Sequence, residues 1–287
     1  ALWATAGFLF LTSSTVPSWV SATYSPWFMP VNFVQGAFYL TVLALVWARR
    51  SDRLGRFVWP GVLWGLTFLG HTAPALVLGV MVLWLSARDS FAGRSTVGVA
   101  ASRAVLMMSF AIAVSSPLIV IIVGHYGLRT AHTQPSLYSE PLLARELPAL
   151  LKMHLTLPMA VAVAGAWAVW RRRAVSAEAR EWLGAWILAA AVLLGYGYFV
   201  IAARLAAGID LPSVVPFFHF FFYLKAASAV LFGIGVDQVG QWAGARFGRS
   251  MRVASAVACA VLLVVGARAY VNRPDFADSR GSKQLSS

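Results

Sequence analysis

Apolar residues in this chain come in nearly unbroken blocks of about 20, separated by short polar connections. That is the pattern of helices surrounded by lipid. An amphipathic helix, with one buried and one wet face, would alternate instead. A bilayer core of about 30 Å takes roughly 20 helical residues per crossing. By that measure the blocks at 28–48, 101–123, 155–170, 182–203, 213–239 and 251–270 each predict a crossing. A shorter apolar stretch at 1–16 predicts the end of another. The expected fold is therefore an all-α, polytopic transmembrane protein of about seven spans. Residues 1–270 would form the membrane domain and 271–287 a polar tail.

The block at 57–87 does not fit this scheme. It holds 31 residues interrupted by Gly70-His71-Thr72-Ala73-Pro74, and basic residues flank it on both sides. Two complete crossings need about 40 residues. The segment is expected to be two short half-helices or a re-entrant hairpin, with residues 70–74 at its tip. One long helix is the alternative, and it would invert the topology of everything downstream. Irregular backbone at such a depth survives only when it is buried in protein or lines a wet cavity.

Charge then orients the blocks. Lys and Arg total 23 against 10 Asp and Glu, a formal net charge of +13. In a soluble protein this would suggest a nucleic-acid partner. Here 14 of the 23 basic residues lie in the connections 49–56, 88–103, 171–180 and 246–252, so the basicity marks the cytoplasmic side. The 124–153 loop and the tail are then expected outside a multi-pass plasma-membrane protein. Composition agrees, with 60% hydrophobic and 11% charged residues. It excludes a soluble enzyme, a disordered chain and a coiled coil. The lone Cys259 excludes an internal disulfide and any multi-cysteine metal site. The chain starts at Ala1 without Met or a signal-peptide pattern, which suggests a fragment lacking an upstream portion.

Few residues carry chemistry. All five histidines fall on or toward the expected outer side. His125, His132 and His154 suit an aqueous loop, and no HxxxH or HExxH spacing points to zinc. His71 sits at the intramembrane break, where a polar side chain marks either a cavity or a local structural bond. His219 and Lys225 share a segment dominated by phenylalanine. Lys225 lies about 9 Å deeper than His219 along a helix and on a different face. Arg204 and Asp210 bracket the preceding connection. With His219 and Lys225, Arg204 could hold a lipid phosphate, although a plain Arg204–Asp210 surface pair is equally consistent. No paired carboxylates, nucleophile elbow or P-loop occur.

Three segments resemble mid-chain helices of the large polytopic GT-C glycosyltransferases. They are Tyr24-Ser25-Pro26-Trp27 followed by Asn32-Phe33-Val34-Gln35, the turn-bearing stretch from Trp64 to Pro74, and Val215 to Gly235. Together they touch about a third of the chain. The resemblance implies a polyprenyl-phosphate-linked sugar donor in the outer leaflet and inverting transfer to an acceptor outside the cytoplasm. The partners would be membrane lipids and that donor, with no nucleic acid. The family's catalytic acid lies in its first outer loop. No position here matches it, so no catalytic residue is assigned. His219 stands where the family often has Arg, and a neutral imidazole is a poorer anion partner. The cofactor stays open, a divalent cation included. Two other readings stay open as well: a transporter or flippase-like carrier, and a non-catalytic membrane scaffold subunit.

Overall fold

The computed structural model describes residues 3, 30–127, 157–171, 174–213, 215 and 219–271. The loop histidines His132 and His154, the tail beyond 271 and the Tyr24–Trp27 motif lie outside them. The described residues form an all-α protein. Its helices are α1 (Pro30–Arg49), α2 (Val58–Gly70), α3 (Thr72–Phe91), α4 (Val97–Gly124), α5 (Leu157–Trp170), α6 (Ala177–Ala207), α7 (His219–Phe247) and α8 (Arg249–Val271), with a 3-10 turn at Leu54–Phe57 before α2. Among the described residues, three stretches are long and apolar enough to cross a membrane: α3, α4 and Ala177–Arg204 within α6. Val34–Arg49 and Met159–Trp170 are apolar but shorter.

The chain divides into two compact units, residues 28–135 with 181–223, and residues 1–27, 136–180 and 224–287. In the first unit, the 57–91 segment is two helices broken at His71, as expected, but they are unequal. α2 has 13 residues and α3 has 20, so α3 is a membrane-length helix rather than a half-helix. It outruns its apolar block because the polar residues near its end are satisfied: Asp89 takes two hydrogen bonds from Arg49, at 2.7 and 3.2 Å. The pair also joins the end of α1 to the end of α3. Arg103, near the start of α4, reaches Asp52 at 3.4 Å and lies over the Phe57 ring. Both ends of the broken segment therefore lie at one end of the unit, and His71 lies at the other.

Small residues let these helices approach. A Cβ on Gly61 would meet the Met107 carbonyl at 2.7 Å, and one on Gly65 would meet Val114 at 2.6 Å, so α2 lies directly against α4. Thr41 on α1 and Thr67 on α2 share a buried hydrogen bond of 3.2 Å. α4 contains Pro117, which cannot donate to the Ala113 carbonyl one turn back. The Ser116 hydroxyl donates to that carbonyl instead, at 2.9 Å, and the 28-residue helix continues. A serine that replaces a missing amide donor is how a proline is accommodated inside an apolar helix.

In the second unit, α5 meets the later part of α7 through Gly165 and Gly235. A Cβ on either would collide with the facing backbone, at the Leu231 carbonyl and the Val161 carbonyl respectively. The expected span at 213–239 is displaced: α7 starts at His219 and continues to Phe247. Its polar extension carries an i,i+4 bond from Gln241 to Asp237 at 2.7 Å. α7 stops at Gly248, whose φ of +90° is open to glycine and strained for other residues.

Candidate functional site around the His71 break

Gly70 ends α2 with no room for a side chain, since a Cβ there would press on Val34 of α1 at 2.6 Å. The next residue turns to extended geometry, φ −166° and ψ 131°, and its imidazole becomes the N-cap of α3. His71 Nδ1 accepts the Ala73 N–H at 3.1 Å, and the His71 N–H donates to the Thr67 carbonyl at 2.9 Å. A neutral imidazole that accepts at Nδ1 carries its proton on Nε2. The break is thus closed by its own histidine, whose second nitrogen is left as a donor.

The His71 ring lies against the ring of His219, at 4.9 Å between centroids and an interplanar angle of 51°. One turn beyond His219 on α7 is Tyr223, buried and in edge contact with Phe38 of α1 at 5.1 Å. Phe38 also meets Tyr39 and Trp186 at 5.3 and 5.5 Å. Around this aromatic group, Gln35 Nε2, Trp186 Nε1 and the Tyr223 hydroxyl are buried without a hydrogen-bond partner among the described residues. Unsatisfied buried donors are few in folded proteins.

Of the four residues singled out from the sequence, the structure brings two together. His71 and His219 are in contact. Arg204 holds Asp210 at 3.6 Å with its side chain 68% exposed, the surface pair the sequence allowed. Lys225, six residues beyond His219 on α7, belongs to the other unit and is buried there. No group of three or more His, Cys, Asp or Glu able to hold a metal occurs among the described residues.

An ion-pair network at the opposite end of the first unit was not legible in the sequence pattern. The Glu181 carboxylate, 5% exposed, takes Arg49 at 2.9 Å and Arg94 at 2.7 Å, with Arg88 at 3.4 Å. Arg94 also reaches Asp89 at 3.2 Å, and the Arg49 guanidinium lies 5.1 Å over the Trp182 ring. These residues read only as markers of membrane side, because 132 positions separate Arg49 from Glu181 and no local spacing links them.

No protein-family model, curated protein or solved structure matches the chain.

Proposed function

We propose that this chain is part of a multi-pass membrane glycosyltransferase that moves a sugar from a polyprenyl-phosphate-linked donor to an acceptor outside the cytoplasm. The observation that carries the reading is the His71–His219 contact. These histidines come from two of the three segments that resemble GT-C helices, about 150 residues apart in sequence. An accidental resemblance gives no reason for them to meet. In this reading the chain crosses the membrane about seven times, with the 124–153 loop and the tail outside. His71 and His219 meet at the outer end of the first unit, and Arg204, His219 and Lys225 are each separate candidates for contact with the donor phosphate. Charge-assisted bonds to phosphate are the stronger class.

Transfer from the lipid-linked donor, measured on the full-length protein in membranes, tests these roles. His219→Ala and Lys225→Ala are each expected to lower transfer about 10- to 100-fold, the effect of losing one hydrogen bond to a charged group. Unchanged transfer in both variants would remove the phosphate-binding assignment.

A further inference from the structure

Arginines crowd the end of the first unit opposite His71, and most of them are engaged. Arg49, Arg88 and Arg94 bind the Asp89 and Glu181 carboxylates, and Arg103 binds Asp52. Arg53 and Arg56 are different, because neither meets a carboxylate among the described residues. Both belong to the connection between α1 and α2, Arg53 at the N-cap of the 3-10 turn and Arg56 within it. The Arg56 guanidinium carbon lies over the Trp47 ring, 4.6 Å from its centroid. That stacking satisfies its face and leaves its in-plane N–H donors available.

Three large apolar side chains are exposed here, Trp47 under Arg56, Leu54 within the turn and Trp59 just after it, at 47, 45 and 64%. Two tryptophans and a leucine at the ends of apolar helices suit the level where acyl chains meet head groups. Two uncompensated guanidinium groups beside them suit a phosphodiester. A soluble phosphate would use the arginines but give no reason for the exposed indoles. A neutral lipid would use the indoles but not the charge.

We propose that the 3-10 turn, with Trp47, Arg53, Leu54, Arg56 and Trp59, is a binding site for one anionic glycerophospholipid. Arg53 and Arg56 hold the phosphodiester, and the two indoles and Leu54 take the glycerol backbone and upper acyl chains. Asp52, fully exposed, is turned to Arg103. The site is independent of the sugar-transfer reading.

The test uses the full-length protein in neutral detergent, titrated with phosphatidylglycerol, phosphatidylcholine or glycerol 3-phosphate, with bound lipid counted by native mass spectrometry. Retained phosphatidylglycerol, in preference to phosphatidylcholine, is expected. Each arginine near a lipid surface contributes about fivefold, so Arg53→Gln with Arg56→Gln should weaken retention by about 30-fold. Arg56→Lys, which keeps the charge and loses the guanidinium over Trp47, should retain less lipid than wild type. The exposed pair Arg246→Gln with Arg249→Gln removes the same charge elsewhere and should leave retention unchanged. Equal loss in both double variants would show general charge attraction and overturn the site. So would the absence of any phosphatidylglycerol preference, or equally tight binding of glycerol 3-phosphate. If the double variant does not fold, Arg53→Gln alone should still give about a fivefold loss, and no loss there overturns the proposal.

Discussion

Glu181 has more to lose than any other side chain in the first unit. It is nearly inaccessible and holds Arg49 and Arg94 at hydrogen-bond distance. Truncating it leaves the half-buried Arg49 with only Asp89 as counter-charge. Removing one member of a buried pair costs about 3–5 kcal/mol, because the remaining charge cannot regain its water. Glu181→Ala is therefore expected to lower the thermal unfolding midpoint clearly, while Asp52→Asn, in a solvent-exposed pair with Arg103, should leave it unchanged. Equal shifts would mean that the network carries no buried charge. The same physics makes His71 more than a cap. Its Nδ1 replaces a backbone partner at the start of α3, so His71→Ala should loosen the break as well as alter the site. Asn, which can also cap, should recover the stability without recovering the imidazole.

At the scale of elements, the helices are placed by their small residues more than by their apolar ones. In the first unit Gly61 and Gly65 let α2 lie on α4, and in the second Gly165 and Gly235 bring α5 against α7. Gly61→Val and Gly165→Val are expected to destabilise by about 1–3 kcal/mol each, since a new side chain would force the facing backbone to move. Gly55, with nothing within 4 Å of an added Cβ, should accept Ala silently. Thermal unfolding of the three variants in detergent separates these cases. Hydrophobic blocks could not reveal this. Leu, Val and Ala are equally at home in lipid, and the block pattern says where a helix runs but not which of its faces meets a neighbour.

For the whole molecule, the decisive feature is that α1 and α3 end together while the intervening His71 lies at the far end. α4, 28 residues long, spans about 42 Å, enough to carry its two ends to opposite faces of a bilayer. In a Cys259→Ser background, Gly55→Cys and Ala92→Cys should react with an impermeant maleimide from the same side, and Tyr126→Cys from the other. Labelling of Gly55→Cys and Ala92→Cys from opposite sides would replace the folded-back segment by a single crossing and invert the topology beyond it.

Block lengths and hydropathy were enough to determine an all-α chain suited to lipid, the positions of most helices, and the break at residues 70–74. These are local properties: an apolar run must become a helix in lipid to satisfy its own backbone, and Gly with Pro interrupts it. The full membrane length of α3 was not legible, because its last turn is polar and is made favourable by Asp89 pairing with Arg49, brought from α1, and with Arg94. Nor was the meeting of His71 with His219, or of Arg49 with Glu181. Such pairs depend on which helix faces touch, and that is decided by close contacts at Gly61, Gly65 and Gly70 across long sequence separations. The sequence placed His71, Arg204, His219 and Lys225 as the polar residues to watch. Tertiary packing brought the two histidines into contact, left Arg204 in a surface pair and buried Lys225.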